Sequence, residues 1–345
     1  MVSSTPRHTP FPLIPSLANV IVLPPLIALL VSGSVIALLI RSRAAQFALD
    51  HPNQRSLHTT PTSRLGGVGI AAGVATAWLY AAPVIDLQVV LALALLVGVS
   101  LVDDMRGMGV AWRFSAHLAA AWLAVSGLLQ NHDAWLVAVA VLATAWTINL
   151  YNFMDGADGL AGGMALIGFG SYGVAALTGG DSSFAALNFS VAAAALGFLL
   201  FNFPPARIFM GDAGSIPLGC LAAVMSISGT LRGDWPWWFG LAVFSPFVVD
   251  ASLTLCRRLL RGAKVWQAHR EHFYQRLVQC GWGHRKTACA EYALMLVCSV
   301  AALAAMREQT AVQLALLVGM TLLYTGLVVV LECRFLRADP GHAEA

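Results

Sequence analysis

The sequence predicts an all-α polytopic membrane protein, and three observations lead to that class. Hydrophobic residues make up 58% of the 345 residues, whereas charged residues make up only 11%. A soluble domain carries about 25% charged residues, so this chain lacks the charge that a water-exposed surface needs. The apolar residues also fall in runs of about 20, the length that crosses a bilayer as an α-helix. A soluble enzyme, a coiled coil and a disordered chain do not fit this composition.

We predict eleven membrane spans, several of them joined by short turn-forming stretches such as residues 131–133 and 179–181. The predicted spans are residues 19–40, 66–82, 84–102, 115–130, 134–150, 162–179, 183–201, 214–230, 237–256, 289–305 and 311–331. Together they form one membrane domain over residues 19–331, preceded by a short segment (1–18) and followed by a tail (332–345).

The basic residues predict the orientation of the chain. Because eleven spans place the termini on opposite sides, the connections fall into two sets. One set, here called the inner connections, comprises residues 41–65, 103–114, 151–161, 202–213, 257–288 and the tail after 331. These connections hold 17 of the 20 Lys and Arg residues. Lys and Arg accumulate on the cytoplasmic side, so the inner connections are predicted to be cytoplasmic and the N-terminus external. Topology thus accounts for the basic residues, and no nucleic-acid partner is expected.

The acidic and amide side chains cluster in the same inner connections. Asp103 and Asp104 end an apolar segment, and such a pair indicates a Mg²⁺ or substrate site, although a solvated helix end fits it as well. A second stretch, residues 149–160, has no Lys or Arg but contains Asn149, Asn152, Asp155 and Asp158. Its carboxylates can ligate a hard cation or accept hydrogen bonds. An ordinary Asx-Gly turn explains one of its two Asp-Gly pairs but not the whole stretch.

A third inner connection combines an acid with glycines and an aromatic ring. Pro204 and Pro205 are expected to end the preceding helix. Asp212 is a candidate metal ligand and Phe209 a candidate stacking surface. Ser215 is predicted at the start of the next span, where backbone N–H groups can face an anion. A helix-capping loop without chemistry is the alternative for this segment.

The longest inner connection carries histidines and arginines. Read as an interfacial amphipathic helix, residues 264–277 bring His269, His272 and Arg276 near one another. These side chains are candidates for phosphate contacts, and their spacing is not the HExxH of zinc proteases.

Two further features leave alternatives open. The first inner connection offers Arg55, His58 and Arg64 as anion partners, although positive-inside cations followed by a Gly-Gly helix start explain the same residues. Asp250 lies within the ninth predicted span, where a carboxylate is a functional hypothesis by default. A structural hydrogen bond is equally consistent with that position.

Together these stretches resemble the polyprenyl-phosphate N-acetylhexosamine-1-phosphate transferases, the glycosyltransferase family 4 that includes phospho-N-acetylmuramoyl-pentapeptide transferase. The resemblance runs in order from Pro52 to about Leu277 and is most specific in residues 149–160 and 209–215. It implies transfer of a sugar 1-phosphate from a UDP-N-acetylhexosamine to polyprenyl (undecaprenyl) phosphate, with release of UMP. It also implies Mg²⁺, for which Mn²⁺ can substitute, and a bacterial inner-membrane location with the site facing the cytoplasm.

The resemblance implies roles for three groups of residues. The catalytic group consists of acids and histidines of the inner connections, namely Asp103, Asp104, Asp155, Asp158, His269 and His272. The implied Mg²⁺ ligands are Asp212 and Asp104. The substrate-binding group has Asn202 and Phe209 against uracil and also includes Asn152, Arg55, Arg64, Arg270 and Arg276.

Two departures from the family pattern concern the sugar. The segment His269-Arg-Glu-His272 has fewer histidines than the commoner motif, and it looks like the branch that starts O-antigen chains with N-acetylated 6-deoxyhexosamines such as fucosamine or quinovosamine. Arg113 stands where many relatives carry Lys. N-acetylglucosamine stays an alternative, so the sequence leaves the sugar open.

The alternatives concern mechanism, function and assembly. The lipid phosphate either attacks directly or follows a two-step route through a phospho-aspartate. A membrane secondary transporter of an anionic solute is the alternative function; it predicts internal repeats and ionisable groups at mid-membrane. Here the polar residues lie at one membrane edge, with Asp250 as the exception. The lipid bilayer is an expected partner, a homodimer is one option, and the sequence leaves the oligomeric state open.

Overall fold

The protein is an all-α polytopic membrane protein built from consecutive long helices. The computed structural model describes residues 17–46, 48–52, 57, 60–81, 85–267 and 269–338. Its helices are α1 (Leu17–Arg41), α2 (Gly66–Ala81), α3 (Leu87–Arg106), α4 (Val110–Leu128), α5 (Ala134–Phe153), α6 (Leu160–Gly179), α7 (Ser182–Asn202), α8 (Asp212–Arg232), α9 (Phe239–Val243), α10 (Ser245–Leu260), α11 (Phe273–Leu277), α12 (Gly283–Ala305) and α13 (Thr310–Ala338). A 3₁₀ turn covers Arg43–Gln46, a π turn covers Val278–Trp282, and strands β1 (Leu49–Asp50) and β2 (Thr62–Ser63) form an antiparallel pair.

Each predicted span coincides with helix in the described residues, although not every helix has the length and hydropathy of a span. Eight described helical segments are long and apolar enough to cross a membrane. Of the other predicted spans, α2 has 16 residues, α4 carries Arg113 and His117 in its first half, and the ninth is divided at Phe244 into α9 and α10. The helical, polytopic class is confirmed, whereas the count of eleven and the orientation stay predictions.

Small residues let the helices around α1 approach closely. A Cβ atom built on Gly73 of α2 would lie 2.6 Å from the Ala28 carbonyl oxygen of α1, and one on Gly197 of α7 would lie 2.8 Å from the Leu29 carbonyl oxygen. Inside a bilayer the hydrophobic effect does not drive helices together, so dispersion contacts at such close approaches stabilise the bundle. The tight packing of α1, α2 and α7 fixes the beginning of α2, which borders the polar site.

The connection between α10 and α12 is not the interfacial amphipathic helix that the sequence predicts. Within its described residues, only Phe273–Leu277 forms an α-helix before the π turn. The carboxylate of Asp250, in α10, accepts hydrogen bonds from the backbone N–H groups of Phe273 (3.0 Å) and Tyr274 (3.1 Å). Because this carboxylate satisfies the first free N–H groups of α11, the helix begins at Phe273 and is anchored to α10.

Candidate active site

The beginnings of α2 and α8, distant in sequence, meet backbone to backbone. Phe209 N–H donates to the Ser63 carbonyl (2.7 Å), and Gly66 N–H donates to the Phe209 carbonyl (2.9 Å). A Cβ atom on Gly67 would lie 2.2 Å from the nitrogen of Gly214, so no larger residue fits without displacing the main chain. The Gly-Gly helix start predicted from the sequence is confirmed, and its function is to join the first inner connection to the Asp212 segment.

A polar cavity of about 260 Å³ opens where four inner connections meet. It is lined by Asp50, Leu57, Arg64, Asn152, Asp155, Gly156, Ala157, Asp158, Asn202, Phe209, Gly211, Asp212, Gln275 and His284. The cavity thus brings together residues from four inner connections, whereas the predicted site residues Asp103, Asp104, His269 and His272 are outside its lining.

The paired aspartates at the end of α3 lie next to the start of α8. The Arg113 guanidinium bridges the two elements, with Nη1 3.1 Å from Asp103 Oδ2 and 3.5 Å from Asp212 Oδ2. Asp104 Oδ2 accepts a hydrogen bond from Ala213 N–H at 3.4 Å. Arg113, noted in the sequence only as a departure from the family, thus holds two of the candidate acids together.

Negative charge accumulates around Asp155, in the connection between α5 and α6. Burial raises the pKa of Asp155, the carboxylates of Asp212 and Asp104 raise it further, and the Arg64 guanidinium opposes them. Arg64 itself is tied to the cavity wall by Asp50, whose Oδ1 lies 2.5 Å from Arg64 Nη2. The acids outnumber the neighbouring cations, so a bound divalent cation would lower the free energy of the ionised cluster.

The arrangement of these acids fits Mg²⁺ shared with a ligand. Across the described part of the chain, no group of three or more His, Cys, Asp or Glu side chains is placed to hold a metal ion without other ligands. Mg²⁺ is usually bound through one or two carboxylates, with water and substrate phosphates completing its shell. Asp212 and Asp104 are two hard oxygen donors that interact electrostatically, and they would supply the protein ligands of such a site.

Several predicted site residues form hydrogen bonds within the protein around the cavity. Asn202 is buried; its Oδ1 accepts from Gly159 N–H (2.8 Å) and its Nδ2 donates to the Ile208 carbonyl (2.9 Å). Asp158 Oδ2 accepts from Ala206 N–H at 3.0 Å. Asn152 Oδ1 accepts from the Ser215 hydroxyl at 3.4 Å. These contacts shape the cavity wall, and the uracil contact that the resemblance assigns to Asn202 would compete with its two internal bonds.

The histidines of the long inner connection lie behind the cavity wall. His272 is buried, with Nδ1 3.1 Å from Asp250 Oδ1, and its ring stacks on Phe153 at 6.2 Å between centroids. The His269 ring lies 4.9 Å from that of His272. Burial, His272 and Arg258 lower the pKa of His269 to about 4. Among the described residues of this connection before α12, Gln275 is the one that lines the cavity.

The predicted arginines have different environments. Arg64 lines the cavity. Arg276 instead pairs with Glu332 of α13 (Nη1 to Oε1 2.7 Å), and its guanidinium lies over the Phe335 ring at 3.9 Å. Arg270 is exposed and outside the cavity lining, and Arg55 lies outside the described residues.

Sequence reasoning missed His284, at the beginning of α12. Its ring lines the cavity beside Asp158 and Leu57. The one local signal is a histidine directly after a glycine in an inner connection; Gly283 has φ +66°. That pattern is too common to indicate a site.

The fold and the cavity define a class: a polytopic membrane protein whose inner connections build an acidic site suited to a divalent cation and a phosphorylated ligand. The profile of glycosyl transferase family 4 matches residues 87–230, which span α3 to α8 and contain most of the site. The chain belongs to this family, as the resemblance in the sequence predicts.

Curated relatives share most of their length with this chain. It is 29% identical over 282 residues to a probable undecaprenyl-phosphate N-acetylglucosaminyl 1-phosphate transferase of Bacillus subtilis, covering 74% of this chain and 76% of that protein. It is 30% identical over 304 residues to a decaprenyl-phosphate N-acetylglucosaminephosphotransferase of Mycolicibacterium smegmatis, covering 73% and 74%. A shorter match, 32% over 165 residues, joins 48% of this chain to 51% of a phospho-N-acetylmuramoyl-pentapeptide-transferase of Moorella thermoacetica.

Proposed function

We propose that the protein transfers an N-acetylhexosamine 1-phosphate from a UDP-sugar to polyprenyl phosphate and releases UMP. One observation carries the proposal: Asp155, Asp212 and Arg64 line one cavity in a chain whose relatives are named as polyprenyl-phosphate sugar-phosphate transferases. Both substrates carry phosphate and one is a lipid, so the site must offer cations at a membrane surface. A polar cavity built from the connections of a helical bundle meets that requirement.

The cavity offers different contacts to different parts of the sugar nucleotide. Phe209 lines the cavity, and its aromatic side chain is of a type suited to stacking on a base. Arg64 presents a guanidinium that can bind phosphate through paired hydrogen bonds. Asn152 and Gln275 offer amide groups for the nucleoside or the sugar. The proposed orientation places uracil near Phe209 and the diphosphate between Arg64 and the acids.

Asp212 and Asp104 would hold the proposed Mg²⁺ ion, and Mn²⁺ could substitute for it. When bound, the ion would neutralise phosphate oxygens and the charge that develops on them. Asp103 and Arg113 support this site, because Arg113 contacts Asp103 and Asp212 together and so fixes the end of α3 against the start of α8.

The lipid phosphate itself is the proposed nucleophile. A phosphate monoester has a second pKa of about 6, so it is mostly a dianion at neutral pH and gains little from a general base. One of its oxygens attacks the sugar-linked phosphorus, the bond from that phosphorus to the UMP oxygen breaks, and UMP leaves with the electron pair. The carboxylates of Asp103 and Asp104 would then act by orienting the cation and, through it, the phosphates. Trapping a phosphorylated enzyme with UDP-sugar alone would instead support the phospho-aspartate route.

The proposed setting is the inner membrane of a bacterium, with the cavity facing the cytoplasm. Support comes from the concentration of Lys and Arg in the inner connections, 17 of 20, and from the bacterial relatives. UDP-sugars are cytoplasmic metabolites, so a donor cavity on that side is accessible to them. Asp250 was the one residue that favoured the alternative function of a transporter. Its carboxylate instead accepts hydrogen bonds from the first N–H groups of α11, which gives it a structural role.

The identity of the sugar is the finer part of the proposal. The His269-Arg-Glu-His272 segment favours an N-acetylated 6-deoxyhexosamine such as fucosamine or quinovosamine, and with it the start of a lipid-linked surface polysaccharide of O-antigen type. The names of the relatives favour N-acetylglucosamine. Both sugars carry the acetamido group and differ at carbon 6, so one assay can distinguish them.

The test uses the full-length protein in lipid nanodiscs with Mg²⁺, undecaprenyl phosphate and a panel of UDP-N-acetylhexosamines. We expect UMP release that requires both the lipid phosphate and the cation, and a lipid diphosphate-sugar identified by mass spectrometry. UMP release without the lipid, or no release with any sugar of the panel, would contradict the proposal. An Asp212→Asn protein serves as the inactive reference.

A further inference from the structure

One cavity residue, His284, belongs to none of the candidate site residues predicted from the sequence. It stands on the first turn of α12, whereas Asp155 and Asp158 come from the connection before α6 and Asp212 begins α8. Its imidazole is only partly exposed, at 19% of its side-chain surface, and it faces Asp158. Its position therefore links the long inner connection to residues 154–159, the segment between α5 and α6 that is here called the acidic loop.

The imidazole contacts two separate segments through its two nitrogens. Nε2 lies 3.2 Å from the Leu57 carbonyl oxygen, which can only accept, so Nε2 carries a proton. Nδ1 lies 3.0 Å from the backbone nitrogen of Asp158, which donates, and 3.2 Å from Asp158 Oδ1. A neutral ring accepts from that N–H group, and a protonated ring donates to the carboxylate. The ring therefore holds Asp158 in either protonation state.

Asp158 connects His284 to the rest of the cavity wall. Its other carboxylate oxygen accepts from Ala206 N–H, and the next residue, Gly159, donates its N–H to Asn202. Asp158 and its neighbour thus join the acidic loop to the connection that leads to Phe209. Because Asp155 and Phe209 line the same cavity, displacement of Asp158 would alter both walls between which a nucleotide would bind.

We propose that His284 is a positioning residue that acts through Asp158: it holds the acidic loop, Leu57 and α12 together as one wall for the sugar nucleotide. The inference rests on the proposed transferase function and adds a residue to it. His284 does not contact Asp212, Asp104 or Arg64 in the structure, so its loss should weaken donor binding more than it slows the transfer step.

The test measures UMP release by variants of the full-length protein in nanodiscs, with UDP-N-acetylglucosamine or whichever donor the wild type uses. We expect His284→Ala to raise KM for the donor about tenfold, the effect of losing one or two hydrogen bonds, with kcat changed less than about twofold. His284→Asn can place an amide oxygen near the position of Nδ1 and should recover most of the affinity. His284→Gln reaches toward Leu57 instead and should recover less.

The matched control is Tyr292→Phe on the same helix. The Tyr292 hydroxyl donates to the Gly159 carbonyl at 2.6 Å, next to Asp158, but Tyr292 does not line the cavity. We expect this variant to lower the melting temperature without changing KM for the donor. An equal increase in KM in both variants would mean that His284 only stabilises the loop in general, and this result would overturn the inference.

Two further outcomes would also overturn it: an unchanged KM in His284→Ala, or recovery by Gln but not by Asn. The last result would assign the effect to Leu57 rather than to Asp158. If the wild type releases no UMP with any donor, the proposed function fails instead, and donor-induced thermal stabilisation still tests whether His284 shapes a nucleotide site.

Discussion

Two polar regions of this protein look alike in the sequence but behave differently in the structure. In the acidic region, Asp104, Asp155 and Asp212 lie together with fewer cations than carboxylates around them. In the histidine region, each of these charged side chains has an internal partner of opposite sign: Glu271 pairs with Arg258 and Arg261, and Glu332 pairs with Arg257 and Arg276.

The difference indicates which region performs chemistry. A cluster with unbalanced charge raises its own free energy and is relieved by an added cation or ligand. A cluster whose charged groups are already paired within the protein gains less from a ligand, and its ion pairs hold together the elements that carry it. We therefore propose that the acidic region performs binding and catalysis and that the histidine region anchors α11 and α13. Four changes can break or sharpen this division.

The largest effect is expected from the acid at the start of α8. Asp212→Asn keeps the side-chain size but removes a charge and a strong metal ligand, so activity should fall about 100-fold or more. Mg²⁺ titration of UMP release should show that the remaining activity needs more Mg²⁺. Asp133→Asn, which changes an exposed carboxylate on an outer turn, is the matched control and should leave activity unchanged. Full activity in Asp212→Asn would reject the metal assignment.

A smaller effect is expected from pH, through Asp155. Burial and the neighbouring acids raise the pKa of this carboxyl, so its charged form appears only at higher pH than for a free aspartate. If the charged form is active, kcat/KM increases with pH and is lost as pH falls through that raised pKa. A bound cation favours the charged form, so higher Mg²⁺ should move the midpoint to lower pH. If the midpoint of the pH profile does not depend on Mg²⁺, Asp155 does not interact with the bound cation.

The histidine region should respond in stability rather than in chemistry. Asp250→Ala removes the acceptor for two backbone N–H groups of α11 and for His272. Loss of such a cap costs about 1–2 kcal/mol, which should appear as a lower melting temperature. The folded fraction should keep a similar kcat, measured after normalising for active protein. A selective loss of kcat at unchanged melting temperature would instead indicate that Asp250 and His272 contribute to catalysis.

The smallest effect is expected from the pair between Arg276 and Glu332. Its side chains are 28% and 29% exposed, and a partly exposed pair contributes about 1 kcal/mol or less. Arg276→Ala should therefore have a small effect on stability, and Glu332→Ala a somewhat larger one because Glu332 also pairs with Arg257. The double variant should cost less than the sum of the two single variants, because both remove the same ion pair. An increase in KM for the donor in Arg276→Ala alone would instead support the substrate contact that the sequence predicts for this arginine.

The fold was predictable because its main signal is local. Each span is an apolar run, and each run became helix in the described residues, since a helix satisfies its own backbone groups in lipid. The acidic site was predictable for a related reason: carboxylates such as Asp155 and Asp212 are rare in this chain, so each indicates function. The ninth span shows the limit, because its division at Phe244 depends on packing.

The partners of the charged residues were not predictable, because they come from distant parts of the chain. No periodicity places Glu332 beside Arg276 or His284 beside Asp158, which are 56 and 126 residues apart. The predicted amphipathic helix over 264–277 was wrong for the same reason. Its hydrophobic pattern was real, but Asp250 of another helix decides where α11 begins.

The contact between Gly67 and Gly214 determines where this site can adapt. Because the main chains of α2 and α8 touch there, the spacing of Arg64 and Asp212 is set by backbone and not by rotamers. This side of the cavity is rigid, and it would bind the diphosphate, which is common to all donors. In the proposed function, the part that varies between donors would then be accommodated at another wall, formed by the acidic loop and α12. Donor preference should therefore be altered by changing that wall, and changes at the glycine contact should reduce the use of every donor equally.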